Sequence, residues 1–325
     1  MKSLDPAKPA LLGLDWGTSS LRAWLLDAQG IILHTHHARQ GILHLPDGGF
    51  AQVLSDILAQ WRLNDPVPML ACGMVGSING WREVSYLPCP ASLCQLADGL
   101  GLQPTAHGML HIVPGLLKDG SLPDVMRGEE TQIVGIMGTD GNSHHTVVLP
   151  GTHSKWAQVQ GQIITEFRTF MTGELFAVLM RHSILGRLPS TAPPDDGYRD
   201  EAFAMGVRTA QSGIPLAGRL FSARTVVLRN RLERAYTADY LSGLLIGEEI
   251  HAGMAALEAT QHATPVLVGE RALCQRYRLA FTVLGHPPPS IAGNTAPAGL
   301  FRLACAAHLL DRTPSHLHDQ KGAVI

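Results

Sequence analysis

The alternation of apolar runs, small-residue turns and helical stripes predicts an α/β protein with two related halves. Three observations carry that expectation. Residues 11–27, LLGLDWGTSSLRAWLLD, read as a β-hairpin, with apolar strands at Leu11–Leu14 and Leu21–Leu26 around a Gly/Thr/Ser turn. Residues 146–159, TVVLPGTHSKWAQV, repeat the pattern about 135 residues later, with Val147–Leu149 as a strand and Pro150–Ser154 as the turn. Strand and helix signals then alternate behind each hairpin, which is the order of an α/β fold.

In the first hairpin, Gly17, Thr18, Ser19 and Ser20 offer backbone N–H groups and three hydroxyls in one concave turn, an array suited to phosphate oxygens. Asp15 at its lip would repel a bare phosphate. The pairing makes sense with a cation between them, and Mg²⁺, often held through its waters, is the usual one. An ordinary hairpin with a capping Asp is the alternative for this segment taken alone. Ile31–Thr35 reads as a third strand. Val53, Leu54, Ile57, Leu58 and Trp61 form a helical stripe, stopped by Asn64-Asp65-Pro66, and Pro68–Ala71 reads as a buried strand.

The loop 72–92, CGMVGSINGWREVSYLPCPAS, leaves the carboxyl end of that strand, where open α/β sheets bind ligands. It gathers Ser77, Asn79, Trp81 and Arg82. Arg can clamp a carboxylate bidentately and Trp offers a flat apolar wall, which together suit an anionic, sugar-like ligand. A surface loop anchored by one Trp is the alternative. Residues 124–139, DVMRGEETQIVGIMGT, read as a turn followed by a helix headed by Glu129 and Glu130, with Ile133, Val134, Ile136 and Met137 as its apolar body. Carboxylates at a helix N-terminus are common and stabilising without any further role.

In the second hairpin, Gly151 permits positive φ and close approach of the backbone to an anion. Thr152 and Ser154 are candidate donors to phosphate, and Lys155 a partner for phosphate or for a substrate carboxylate. Residues 165–187 read as strand or loop, then as a helix burying Leu175, Val178 and Leu179. Arg168 there is a candidate ligand contact or a salt-bridged surface residue. Residues 188–200 read as a loop, and helices dominate to about Leu257, with Glu248 and Glu249 on a solvated or interhelical face. TPVLVGERALCQRYRLAFTVLG, 264–285, reads as strand, Gly269-Glu270 turn and helix. Residues 290–310 read as a closing helix whose Gly293, Ala296, Ala298 and Gly299 allow tight crossing.

The 325 residues suit two ordinary domains, and 45% hydrophobic against 16% charged residues supports real cores. A net charge of −2 argues against nucleic acid as a partner. No apolar run approaches the ~18 residues of a membrane helix, no secretory leader is expected, and five scattered cysteines fit free thiols in a reducing compartment. The 16 histidines, including His34, His36, His37, His144 and His145, read as surface residues, not metal ligands.

DWGTSSLRAWLLD resembles the first phosphate motif of the superfamily that holds actin, the sugar kinases and the heat-shock chaperone ATPases, and TVVLPGTHSKWAQV resembles the second. The 264–285 unit resembles the adenosine motif, with one glycine where that pattern usually has two or more. This implies two ribonuclease H-like lobes of mixed sheet flanked by helices, an actin-like ATPase fold with a cleft between lobes. Residues 1–126 would form the sugar-acid lobe with the first phosphate hairpin. Residues 127–325 would form the lobe with the second hairpin and the adenosine site, its closing helix at about 291–310.

CGMVGSINGW, MRGEETQ, LPGTHSKW and AGNTAPAGLFRLA together resemble the 2-dehydro-3-deoxygalactonokinases. That resemblance implies a cytoplasmic, ATP- and Mg²⁺-dependent kinase acting on the 6-hydroxyl of 2-dehydro-3-deoxy-D-galactonate in galactonate breakdown. It implies Asp15 at Mg²⁺ and Glu129, or failing it Glu130, as general base. Gly17, Thr18, Ser19, Ser20, Gly151, Thr152, His153, Ser154, Lys155, Gly269 and Glu270 would bind nucleotide. Ser77, Asn79, Trp81, Arg82 and Arg168 would bind the sugar acid. The alternatives are a kinase for another sugar acid or polyol, or a non-catalytic nucleotide switch. No membrane or nucleic-acid partner is expected, and a homodimer is left open.

Overall fold

The computed structural model describes residues 8–47, 49–63, 66–138, 144–187, 195–257 and 264–310. Along the chain it begins with strands β1 (Pro9–Trp16), β2 (Leu21–Asp27) and β3 (Ile32–Ala38), helix α1 (Gly49–Gln60) and strand β4 (Met69–Gly73). Short strands β5 (Leu87–Pro88) and β6 (Ala91–Ser92), helix α2 (Leu93–Asp98), strands β7 (Gly101–Thr105), β8 (Gly108–Ile112), β9 (Leu116–Lys118) and β10 (Asp124–Met126), and helix α3 (Glu129–Ile136) follow. Then come β11 (His144–Leu149), β12 (Ser154–Gln160), β13 (Ile163–Phe170) and α4 (Thr172–His182). Helices α5 (Asp196–Ala210), α6 (Leu216–Leu220), α7 (Ser222–Leu228) and α8 (Thr237–Leu257) precede β14 (Val266–Val268), α9 (Arg271–Val283), β15 (Ser290–Gly293) and α10 (Ala296–Ala306).

Contacts group the described residues into two units. The first takes the chain up to Val84, Cys94–Val113 and the residues from Leu300; the second takes Ser85–Leu93 and Pro114–Gly299.

The first unit is built on a mixed sheet of order β3-β2-β1-β4-β8-β7. β1 and β2 are antiparallel, with Asp15 opposite Arg22 and Trp16 opposite Leu21, while β4 runs parallel to β1. Leu11–Leu14 are all buried because both sheet faces are covered. One face packs Leu12, Leu14 and Trp16 against Val53, Leu54 and Ile57 of α1, the stripe read from the sequence. Leu300 and Phe301 of α10 approach so closely elsewhere that a Cβ at Gly13 would lie 3.0 Å from Leu300 and one at Gly30 2.9 Å from the Phe301 ring. Asn64 and Asp65, the expected stop for α1, lie outside the described residues.

The second unit repeats the topology. Its sheet order is β15-β14-β11-β12-β13-β6, so β13-β12-β11-β14-β15 matches β3-β2-β1-β4-β8 strand for strand. β11–β12 and β12–β13 are antiparallel, and β14 and β15 run parallel to β11. This is the ribonuclease H-like arrangement in both units. Val148, Trp156, Leu267 and Phe203 share a core with Tyr277 and Phe281 of α9. A second three-stranded sheet, β10-β9-β5, is tied to β13 where Asp124 accepts from the Thr169 amide (2.7 Å) and hydroxyl (2.6 Å).

Two expectations change here. The 188–200 loop gives way to α5 from Asp196 onward, because Asp195 accepts from the Gly197 and Tyr198 amides and caps the helix; residues 188–194 lie outside the described set. In α4, Leu175 and Leu179 are half-buried and Val178 is 45% exposed, since this helix lies on the surface of the α8 cluster and covers only one side.

Candidate active site

The first hairpin turn is set by its backbone. Gly17 N–H donates to the Ser20 carbonyl at 2.9 Å, and the segment 40–43 braces the outside: Ile42 N–H reaches the Gly17 carbonyl and Leu43 N–H the Thr18 carbonyl, both at 3.1 Å. Trp16 Nε1 adds a bond to the Gln40 carbonyl at 2.8 Å. A Cβ on Gly41 would lie 2.4 Å from Ser19 and Ser20 backbone atoms, so only glycine lets this brace close. Thr18 and Ser19 are left exposed. Asp15 is half-buried at the lip, with Arg22 Nη1 3.6 Å and Cys72 Sγ 3.9 Å from its oxygens. β4 ends beside it at Gly73, whose φ of 90° no other residue adopts easily. A Cβ there would meet the Trp16 carbonyl at 2.8 Å.

The loop after β4 is wound around Val75: Trp81 N–H reaches the Val75 carbonyl at 2.9 Å, and a Cβ on Gly80 would sit 2.2 Å from that oxygen. Ser77 is buried and donates to the Met74 carbonyl at 2.8 Å. Trp81, read as a free apolar wall, is instead stacked on Phe50 at 5.5 Å and meets Trp16 edge-on at 6.3 Å, so it joins the core. Asn79 and Arg82 remain exposed. These four residues belong to the first unit and Arg168 to the second. Arg168 is exposed on β13 opposite Trp156, beside a small hollow of about 60 Å³ with Glu166 and Phe170.

The head of α3 separates its two glutamates. Glu130 is fully buried and accepts from the Gly128 amide (2.7 Å) and the Thr131 hydroxyl (3.1 Å). Burial, and then the charge of Glu129, push its carboxyl up to about 8. Glu129 keeps a quarter of its side chain exposed and accepts from the Arg127 amide at 3.1 Å. Lys155 Nζ, itself nearly buried, lies 3.6 Å from Glu129 Oε1. The lysine expected at phosphate is therefore the ion-pair partner of the expected base. Behind them α3 crosses α10 at Gly135 and Gly299, where a Cβ on Gly299 would lie 1.8 Å from the Thr131 carbonyl.

The second hairpin turn is set by side chains. Gly151 does not take up the positive φ open to it, and a Cβ there would meet nothing within 4 Å, so its value is open space in front of the backbone. Thr152 and His153 are exposed, and His153 Nε2 pairs with Glu174. Ser154, expected to face phosphate, is fully buried: its Oγ accepts from the Gly151 amide at 3.3 Å and contacts Tyr277 Oη at 3.0 Å. Tyr277 donates to Glu249 at 2.6 Å and Trp156 Nε1 to the other Glu249 oxygen at 2.8 Å. Of the solvated and interhelical faces expected for it, Glu249 takes the interhelical one, buried between α8 and α9, and burial raises its carboxyl despite these donors.

At the end of β14, Gly269 has φ 142°. Glu270 caps α9, accepting from Ala272 (3.0 Å) and Leu273 (2.8 Å), and these amides lower its carboxyl. The adenosine-motif glutamate is a helix cap. Sequence reasoning missed Tyr277, Glu249 and the 40–43 brace. Only Gly41 carried a local signal, a glycine between Gln40 and Ile42 outside any turn pair.

Twin sheets of one strand order, each opening on a hairpin with an exposed small-residue turn, and a carboxylate-headed helix preceding the second, define a phosphotransferase of the sugar-kinase class with an alcohol group as acceptor. The sequence model of the 2-keto-3-deoxy-galactonokinase family matches residues 15–303, and the chain belongs to that family. The 2-dehydro-3-deoxygalactonokinase of Escherichia coli (strain K12) is 36% identical over 298 residues, 91% of this chain and 97% of its own. A Rhizobium meliloti (strain 1021) relative, provisionally given the same name, is 36% identical over 90% of this chain and 96% of its own. A crystal structure from Sinorhizobium meliloti, also provisionally so named, superposes with a TM-score of 0.80 at 33% identity, covering 92% of this chain and 98% of that one. The fold is that of the actin-like ATPases. No helix among the described residues is long and apolar enough to cross a membrane.

Proposed function

We propose that the protein transfers the γ-phosphoryl group of ATP to the 6-hydroxyl of 2-dehydro-3-deoxy-D-galactonate, a step of galactonate breakdown in the cytoplasm. The observation that carries this reading is the head of α3 in a chain of this family: Glu129 is accessible and paired with Lys155, while its neighbour Glu130 is buried and protonated near neutrality.

Phosphoryl transfer asks a protein mainly to position groups and balance charge. Glu129 accepts the proton of the sugar hydroxyl as that oxygen bonds the γ-phosphorus and the bond to the β–γ bridging oxygen breaks, releasing ADP. A neutral Glu130 removes a like charge beside this base, and Lys155 holds the carboxylate in place. The exposed groups of the Gly17–Ser20 turn, and those of Thr152 and His153 beside the space that Gly151 leaves open, each bind phosphate oxygens. Gly269 lets adenosine lie against the backbone. Asn79 and Arg82 recognise the sugar acid, with the Arg82 guanidinium on its carboxylate.

Asp15 suits Mg²⁺: a half-buried carboxylate at the lip of an amide-rich turn is a hard oxygen donor, and Mg²⁺ takes one or two carboxylates while keeping waters. Bound there, Mg²⁺ would neutralise charge on the phosphates.

A coupled ATP assay over a panel of 2-keto-3-deoxy sugar acids tests the assignment. The highest kcat/KM is expected for 2-dehydro-3-deoxy-D-galactonate. ATP turnover that no sugar acid stimulates would overturn it.

A further inference from the structure

The second phosphate turn touches a buried polar chain that the reaction itself does not use. Its members come from four elements: Ser154 and Trp156 on β12, Tyr277 on α9, Glu249 on α8 and Thr172 at the head of α4. The direction of the bonds can be worked out. Burial and the neighbouring Glu249 hold the Tyr277 phenol well above its ordinary range, so it keeps its proton. That proton points to Glu249 Oε2 at 2.6 Å. The phenol oxygen is then the acceptor in its 3.0 Å contact with the Ser154 hydroxyl, which also lies 3.4 Å from the Gly151 carbonyl. The Gly151 amide donates to Ser154 Oγ at 3.3 Å.

The far side of the turn is held by α4. Glu174 N–H donates to the Thr152 carbonyl at 3.0 Å, and a Cβ on Gly173 would lie 2.5 Å from the Gly151 carbonyl. Thr172, the residue before that glycine, favours the ionised form of Glu249, against the larger effect of burial. Both supports of the turn, the serine behind it through Tyr277 and the helix head beside it, therefore lie close to one carboxyl group. A buried network with its partners satisfied is rigid, whereas one missing member leaves a costly unpaired group and several ways to relax.

We infer that Glu249 and Tyr277 are positioning residues that fix the turn 150–153, turning the Gly151 amide inward to Ser154 and leaving the Thr152 and His153 backbone to meet the nucleotide phosphates. The inference rests on the reading of this turn as a phosphate site. The chain acts through the turn and touches neither substrate, so its loss falls on one substrate alone.

Steady-state kinetics of Tyr277→Phe and Glu249→Gln test this, with each substrate varied at saturating levels of the other. Tyr277→Phe deletes one hydroxyl and keeps the ring. The expected result is a rise of about tenfold in KM for ATP, the effect of one lost buried hydrogen bond, with KM for the sugar acid within about twofold of wild type. Ser154→Ala and Tyr277→Phe combined should raise KM for ATP by less than the product of the two single effects, because both break the Ser154–Tyr277 link, while the serine change also removes the acceptor of the Gly151 amide. Phe281→Leu, a packing change in the same core, controls for lost stability and should lower Tm without shifting KM for ATP. Gly151→Val separates this inference from the reading beneath it, since its side chain enters open space and blocks only a ligand. If Gly151→Val raises KM for ATP while Tyr277→Phe and Glu249→Gln do not, the positioning role is wrong. If Gly151→Val also leaves KM for ATP unchanged, the turn does not bind phosphate and both fall. Equal shifts in both substrates' KM in Tyr277→Phe, or the same ATP shift in Phe281→Leu, overturn the positioning role as well.

Discussion

The two units share a strand order and differ in where they keep their charge. In the first, the carboxylate lies within the hairpin itself: Asp15 is on β1 and faces Arg22 across the ladder. In the second, the same place on β11 holds Leu149, and its cross-strand partner is Lys155. The carboxylate there comes from outside the sheet, as Glu129 at the head of α3, 3.6 Å from that lysine. The turns are also stiffened differently. The first is held by backbone bonds to residues 40–43, the second by a buried side-chain chain ending on Glu249. A glycine with positive φ follows the inner parallel strand in both, Gly73 and Gly269. One scaffold thus carries its carboxylate on a strand in one copy and on a helix head in the other, because a strand residue is fixed by register while a helix head can be added beside it.

Removing the charge from each copy in turn sharpens the comparison. The largest effect is expected in the second unit: Glu129→Gln should lower kcat by about 10²–10⁴-fold, the usual worth of a general base, with KM for ATP little changed. Near-normal turnover in that variant and a large loss in Glu130→Gln would move the role to Glu130. In the first unit, Asp15→Asn should cost about 10²–10³-fold in kcat, as for loss of one electrostatic contact to the transition state, and higher Mg²⁺ should recover part of it. Insensitivity to Mg²⁺ would detach Asp15 from the metal. A smaller, binding-only effect is expected at the exposed edge of the first unit. Arg82→Ala should raise KM for the sugar acid by about 10–100-fold, as for a charge-assisted hydrogen bond, and leave KM for ATP alone; equal shifts would remove Arg82 from the substrate site.

The smallest effect is one of stability. Glu130 in the folded chain is pushed up to about 8 from an ordinary 4.5, so between those values the folded state holds a proton that the unfolded state has lost. Its contribution is present below about 4.5 and is lost as pH rises toward about 8. Tm should fall across that window in wild type more than in Glu130→Gln. Parallel Tm–pH curves would show that the carboxyl is not buried.

Both hairpins and the α1 stripe were legible because they are written in neighbouring residues: two apolar runs around a small-residue turn, or apolar residues three and four apart. What failed depended on distant partners. Trp81 reads as an exposed wall until Phe50 stacks on it. Ser154 faces either side of its strand depending on register, and the residues that turn it inward lie 123 positions away at Tyr277 and, through Tyr277, at Glu249. Glu270 matched a nucleotide motif, but a glutamate before a helix is also a cap, and the local amides claimed it. Val178 fits a helical stripe on a helix that finds nothing to cover that side. The adjacent glutamates at 129 and 130 are alike in sequence; the fold buries one completely and leaves the other accessible beside Lys155.

The division between those two glutamates is most directly tested by the pH dependence of kcat in wild type, Glu129→Gln and Glu130→Gln. Wild type should change in activity as pH rises through about 8, where the Glu130 carboxyl loses its proton beside Glu129, Glu130→Gln should lack that basic limb, and Glu129→Gln should be far less active across the whole range. A basic limb that survives in Glu130→Gln, or near-wild-type turnover in Glu129→Gln, would contradict the account.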